Sequence, residues 1–310
     1  CRVIHTDGIH ILVNLTPYLQ GDRSRVLALR AAPIQVHWLG FPGTLGEGMC
    51  DYVLADDSCA PPALAAQFSE SIVRLPTCHF IANYAATTAP PDEDAPSKSR
   101  STLELPEDAF VIACFAPPQC LCPLLWDALC AVLKRCPRAV LWLLRWNEAA
   151  PRNLVAEAAQ RKVPDPETRI VFGPLMPRDK HLRRCAAADV GVDPVQLGSP
   201  SAALDLLWSG VPVLTTSGER MASRRVASVL AGLGMDDLVH STPDDMVRHL
   251  CELGSHDRAP LARLRDRLAH NVAARPLFDA RLSVQALERA FKMMWRRHED
   301  GEAPDHMSVP

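Results

Sequence analysis

No stretch of this 310-residue chain approaches the roughly 18 uninterrupted apolar residues that a membrane-spanning helix requires. A strong excess of either charge is also missing: the formal net charge is −3. General nucleic-acid and membrane-surface binders concentrate a basic field on one face, so both classes are set aside. The first residues, Cys1-Arg2-Val3-Ile4-His5, lack the basic-then-apolar order of a secretion signal, which predicts a soluble, unsecreted chain. Neither half carries Gly-x-Gly-x-x-Gly after its first strand, and there is no Gly-Lys-Ser/Thr phosphate loop and no Gly-x-Ser-x-Gly elbow. Dinucleotide oxidoreductases, P-loop nucleotidases and α/β-hydrolases thereby lose their main sequence support. No internal repeat is visible, which excludes a solenoid.

Cysteine, in contrast, is plentiful. Eleven are present, an odd number, set in or beside apolar segments such as those of Cys114, Cys120, Cys122, Cys130 and Cys136. Reduced thiols are a simpler account than a closed disulfide framework. Cys120, Cys122, Cys130 and Cys136 do not have the paired spacing usual for structural zinc, and the alternative is that they pack as small hydrophobes on and around a helix.

Short apolar, β-branched runs at residues 9–15, 34–39, 51–55 and 72–75 read as strands, with a helical pattern at 62–68 between the last two. Residues 89–101 carry Pro, Ser and charge with almost nothing to bury, and predict an exposed linker. Beyond it, strands are expected at 110–115, 140–144, 170–172, 190–192 and 211–215, alternating with helices at 124–134, 154–161, 178–188 and 201–209. Near-continuous apolar strands separated by helices require a parallel sheet covered on both faces, that is, a doubly wound α/β domain. A long helix at 282–297 precedes a polar tail that should be mobile unless docked. The expected division is a partial first half at 1–88, a linker at 89–103, a second half at 104–280, and a terminal helix and tail at 281–310.

In such sheets ligands sit beyond the carboxyl ends of the strands, where helix N-termini offer N–H groups to phosphate. Two turns qualify. Asp193-Pro-Val-Gln-Leu-Gly-Ser-Pro-Ser-Ala-Ala-Leu-Asp205 enters a helix through Gly198, Ser199 and Ser201; it reads equally as a diphosphate cradle or as an ordinary helix start with Pro200 in the first turn. Pro177-Arg178-Asp179-Lys180-His181 places Arg178 and His181 three apart on one helix face. Gly232-Leu-Gly234 reads as a helix end. His5 and His10 flank Asp7, and either a structural or a catalytic histidine fits there.

Longer blocks are more specific. Asp7-Gly-Ile-His-Ile-Leu-Val-Asn14, Ala32-Pro-Ile-Gln-Val-His-Trp-Leu-Gly-Phe-Pro-Gly-Thr44, Val140-Leu-Trp-Leu-Leu-Arg145, His181-Leu-Arg-Arg184, Asp205-Leu-Leu-Trp-Ser-Gly-Val-Pro212, Gly218-Glu-Arg-Met-Ala-Ser-Arg224 and Pro304-Asp-His-Met307 follow one another along the chain. In this order they resemble the catalytic region of the protein O-GlcNAc transferases. The resemblance implies a GT-B fold of two Rossmann-like halves, the first incomplete here. It further implies inverting transfer of N-acetylglucosamine from UDP-GlcNAc to Ser or Thr of nuclear and cytoplasmic proteins, with no metal and with tetratricopeptide repeats upstream. By the same resemblance, His181 packs on the uracil, Asp205 holds the ribose, Arg178 replaces a lysine near the nucleotide, Ser199 and Ser201 remain of the diphosphate loop, and Leu39, Gly40 and Arg23 lie on the sugar and acceptor side.

The departures are chemical. The family's Gly-His-Thr-Thr-Gly-Met-Asp loop reads Ser199-Pro-Ser-Ala-Ala-Leu-Asp205, and Pro200 removes both an imidazole and an amide donor. Its Asn-Gln-x-x-Lys reads Ala116-Pro-Pro-Gln-Cys120, placing a thiol where the lysine would neutralise departing UDP. The His-Pro-x-x-His block that carries the proposed base would lie upstream of Cys1. A weakened transferase is therefore expected, with a catalytically silent nucleotide-binding scaffold of the same fold as the alternative. A relative using a GDP-linked donor, as in plant O-fucosyltransferases, is a more distant reading.

Overall fold

The computed structural model describes residues 1–87 and 100–310, so most of the expected linker lies outside the described residues. The strands along the chain are β1 (Ile11–Asn14), β2 (Ile34–His37), β3 (Tyr52–Ala55), β4 (Ser71–Arg74), β5 (Phe110–Cys114), β6 (Ala139–Arg145), β7 (Ile170–Pro174), β8 (Val190–Val192), β9 (Val213–Thr216), β10 (Val239–His240) and β11 (Met307–Ser308). They form two parallel sheets, ordered β1-β2-β3-β4-β11 and β10-β9-β8-β5-β6-β7.

The chain divides into two compact units, and not at a single point. Unit 1 comprises Cys1–Ala82, Glu219–Gly232 and Pro276–Pro310; unit 2 comprises Asn83–Gly218 and Leu233–Arg275. This differs from the contiguous halves drawn from the sequence, and the reason is packing. The helix Ala280–Glu299 lays Ala286, Leu287, Ala290 and Met294 against Ile34, Val36, Tyr52 and Leu54 of the first sheet. That contact removes the helix's apolar face from water and draws the terminal segment into the first unit. The tail is docked: Met307 and Ser308 pair with β4, His306 Nδ1 accepts from the Ile72 amide at 2.8 Å, and Val309 is buried.

Unit 1 is also tied by a buried polar cluster. Asp56 Oδ2 accepts from the His79 amide and His79 Nδ1, both at 2.8 Å, and from Ser228 Oγ at 2.5 Å, while Oδ1 accepts from the Ser58 and Cys59 amides at 2.9 Å. Burial alone would push this carboxyl up, but the His79 contact and the Ser228 hydroxyl overcome it and hold it well below the usual carboxylate range. Asp56, Cys78 and His79 are the one group of three close metal-ligating side chains among the described residues. Ser228 Oγ lies 3.1 Å from Cys78 Sγ and 3.2 Å from His79 Nδ1, so a hydroxyl already links their polar atoms. The cysteines at 120, 122, 130 and 136 make no such group; Cys130 is buried on the helix Pro123–Arg135 and Cys136 is its buried C-cap.

Unit 2 is the doubly wound domain expected. β5 and β6 are buried along almost their whole length, as strands covered on both faces must be. The helix Pro123–Arg135 packs its apolar side beside the helix Pro243–Leu253. That second helix and Ala259–Ala274 are elements the sequence reading did not place, as is the two-residue β10. The 62–68 pattern is a 3-10 helix, Pro62–Gln67, which Pro61 and Pro62 start and Phe68 ends in extended conformation. Gly232 does end a helix, Arg225–Gly232, and Gly234 beyond it takes φ +68°.

Candidate nucleotide site

In the second sheet the chain runs outward from β5 through β6 to β7, then returns to β8 on the other side and runs out through β9 to β10. The order reverses between β5 and β8. Beyond the carboxyl ends of these two strands the diverging connections leave a crevice, the usual ligand position in an open α/β sheet. A small pocket opens there, lined by Phe115 and Ala116 after β5, Asp193 and Pro194 after β8, and Ser199 and Ala202 at the next helix start.

Asp193 shapes this crevice. Its Oδ1 accepts the Ser199 amide at 2.7 Å and its Oδ2 accepts the Thr215 hydroxyl at 2.9 Å, fastening the loop to β9. Ser199 is the N-cap of the helix Pro200–Trp208, and Pro200 and Ser201 form its first turn. With proline at the first position, the helix's own amide donors begin at Ser201, whose side chain is exposed. Both serines named from the sequence therefore lie at this helix start, though Ser199 has its amide committed to Asp193.

Three further residues named from the sequence converge. Arg178 opens the helix Arg178–Cys185, His181 follows one turn later, and both face Asp205 from the helix Pro200–Trp208. Arg178 Nη2 lies 3.1 Å from Asp205 Oδ1, and His181 Nε2 lies 3.7 Å from Asp205 Oδ2, beyond direct hydrogen-bond range. Burial pushes the Asp205 carboxyl up against the opposing pull of its partners. His181 is pushed down to about 4, by burial first and then by the charges of Arg184 and Arg178. At neutral pH it is an uncharged imidazole.

Two residues with no assigned site role in the sequence complete the cluster. Arg184, 2% exposed, donates from Nε and Nη2 to His181 Nδ1 at 3.1 and 2.9 Å and from Nη1 to the Pro174 carbonyl at 2.5 Å. Its guanidinium lies over Phe115 and Trp142, and Phe115 in turn packs edge-on to His181 at 5.2 Å. The second is Tyr84, whose hydroxyl donates to Asp205 Oδ1 at 2.6 Å. Arg184 stands three residues from His181, a helical spacing that could have flagged it. Tyr84 lies 121 residues before Asp205 and left no local signal.

The remaining candidates are placed as follows. Cys120 ends a 3-10 helix, Pro118–Cys120, just beyond β5, and is buried. In unit 1, Leu39 takes φ +74°, a conformation that strains a leucine, and a Cβ on Gly40 would meet the Leu15 carbonyl oxygen at 2.0 Å, so Gly40 has a backbone reason for its position. Arg23 is exposed and turns back on its own loop, donating to the Gly21 and Asp22 carbonyls rather than reaching Leu39 or Gly40.

A family model described as Glycosyl transferase family 41 matches residues 1–91 and 82–287. The chain belongs to glycosyl transferase family 41. Within the family it is 34% identical to a probable UDP-N-acetylglucosamine–peptide N-acetylglucosaminyltransferase of Arabidopsis thaliana, over 99% of this chain and 31% of that protein. It is 26% identical to the UDP-N-acetylglucosamine–peptide N-acetylglucosaminyltransferase of Caenorhabditis elegans, over 98% of this chain and 35% of that one. It thus spans about a third of the length of these family 41 relatives. Among solved structures it is similar to a mutant O-GlcNAc transferase of Thermobaculum terrenum, with a TM-score of 0.84 and 31% identity over 96% of this chain and 55% of that chain. A likeness to Anabaena HepE, at TM-score 0.60 and 14% identity over 94% of this chain and 80% of that one, shows the fold alone. Two parallel α/β units are the GT-B architecture that the family 41 resemblance implied.

Proposed function

We propose that the protein to which this chain belongs transfers N-acetylglucosamine from UDP-GlcNAc to Ser or Thr hydroxyls of proteins, and that unit 2 holds the UDP. The observation that carries this reading is the convergence of Arg178, His181 and Asp205 beside the reversal of strand order in a family 41 chain. The neutral, Arg184-held His181 ring offers a face to a pyrimidine, and Asp205 offers a buried carboxylate to the ribose hydroxyls. The positive end of the helix Pro200–Trp208, with the Ser201 hydroxyl, is set against the diphosphate. The acceptor hydroxyl attacks the anomeric carbon as the bond to UDP breaks and gives up its proton to a general base, leaving inverted configuration and a negative charge on the departing diphosphate.

Stabilising that charge is where this chain is poorest. A preorganised cation or donor at such a position is typically worth about 3 to 4 kcal/mol, roughly 100- to 1000-fold in rate. Cys120, a buried thiol, offers no ammonium and at most a weak donor, and Pro200 withholds an amide. Slow transfer follows. The same two residues favour the second reading, a nucleotide-binding scaffold without transfer. The eleven cysteines are all free, which is consistent with a reducing setting.

The test is donor selection in the full protein: isotope-labelled UDP-GlcNAc, with a GDP-linked sugar as comparator, incubated with Ser/Thr-containing acceptor proteins. Slow incorporation from the UDP donor alone supports transfer. UDP binding with no incorporation assigns the scaffold role, and use of the GDP donor overturns the proposal.

A further inference from the structure

Asp205 Oδ1 is already occupied. A carboxylate oxygen accepts two hydrogen bonds comfortably, and this one holds the Tyr84 hydroxyl at 2.6 Å and Arg178 Nη2 at 3.1 Å. Tyr84 and Arg178 also support one another, because the guanidinium lies over the phenol ring at 4.8 Å from its centroid. The ring rests against Trp208, tilted by 41° with centroids 5.5 Å apart, and Tyr84 is 6% exposed. Burial and the nearby Asp205 charge push the phenol well up, so it remains a donor at any physiological pH. Only Oδ2, with His181 Nε2 standing off at 3.7 Å, has room for a new donor.

A vicinal diol held by a carboxylate normally engages both oxygens. We infer that Tyr84 is a specificity-determining residue that competes with the nucleotide's ribose for Asp205, so that a ribonucleoside diphosphate binds by displacing the Tyr84 hydroxyl. This inference rests on the reading of Asp205 as the ribose carboxylate. Its consequence is selective. A ligand with the 2′,3′-diol exchanges the Tyr84 hydrogen bond at Oδ1 for one of its own and gains only the bond at Oδ2, whereas one without the diol leaves the Tyr84–Asp205 bond intact. The apparent affinity for UDP is the intrinsic affinity multiplied by the fraction of molecules in which Asp205 is released.

Calorimetric titration of UDP and of 2′,3′-dideoxy-UDP into the wild-type chain and a Tyr84→Phe variant tests this. Tyr84→Phe keeps the ring against Trp208 and removes only the competing hydroxyl. Its affinity for UDP should rise by roughly fivefold or more, since a hydrogen bond to a charged group no longer has to be broken. Its affinity for the dideoxy compound should stay within about twofold of wild type on the same argument. Should Tyr84→Phe fail to fold, as seen in thermal unfolding, Tyr84→Leu carries the same expectation. Wild-type binding of UDP that weakens or stays equal in the variant overturns the inference and leaves the nucleotide reading standing, because Tyr84 would then be positioning Asp205. An equal gain for both ligands also overturns it. No binding of UDP by either folded protein overturns the nucleotide reading itself, and the inference with it.

Discussion

Arg184 donates to His181 Nδ1 from two nitrogens, at 3.1 and 2.9 Å, and thereby fixes the imidazole as the tautomer that carries its proton on Nε2. A buried arginine so close also opposes a second proton. Both effects keep the ring neutral, which suits packing on a base better than a hydrated cation would.

This relationship is measurable. In the folded chain His181 should titrate near 4 by NMR, against an ordinary 6.5. Arg184→Met should move that value up, because it removes a positive charge and the donors to Nδ1. An unchanged titration in the variant would show that burial alone sets the value.

Stability should carry the same signature. Between the unfolded value of 6.5 and the folded value of about 4, the folded state binds fewer protons at His181 than the unfolded state. Its contribution is present above 6.5 and lost as pH falls through that window. His37, His240 and His249 are also lowered, each by burial first, and act in the same direction. Asp205, raised by burial, works oppositely in the carboxylate range. Urea denaturation should therefore show stability declining from pH 7 towards pH 5, with a smaller slope in His181→Phe; a flat profile would refute the sign.

Asp56→Asn should destabilise unit 1 severely. The change keeps the size but leaves His79 Nδ1, the His79 amide and the Ser228 hydroxyl competing for a neutral acceptor deep in the protein. Breaking one partner of such a buried set typically costs about 3 to 5 kcal/mol. Chemical denaturation reads this directly. Because the Asp56 pKa is depressed, the stabilisation is present above the ordinary carboxylate value and lost as pH falls below it.

Gly40→Ala should also destabilise, by about 1 to 3 kcal/mol, since the added methyl meets a backbone carbonyl that cannot swing aside. Its effect on thermal unfolding, measured without any ligand, separates a backbone role from a role at the sugar.

Much of the fold was legible because β5 and β6 are long apolar runs and the helices between strands keep their three-and-four spacing. The two-residue strands β10 and β11 were not, since no period fits in two residues and pairing with β9 and with distant β4 holds them. The terminal helix was found from its own pattern, yet its membership in the first unit depends on complementary surfaces some 250 residues away. The site divides similarly. Arg178 and His181 share one helix turn, and Asp205 was reached through the family resemblance. Tyr84 is invisible to any local pattern, and its bond to Asp205 exists only because two distant helices meet.

The central claim is that Asp205 and its neighbours hold UDP, and calorimetric titration of UDP into the wild-type chain and an Asp205→Asn variant tests it most directly. The account predicts saturable binding by wild type and a loss of roughly 10- to 100-fold in the variant, the worth of a hydrogen bond to a charged group. Equal affinity in the two proteins, or no binding by the folded wild-type chain, would contradict it.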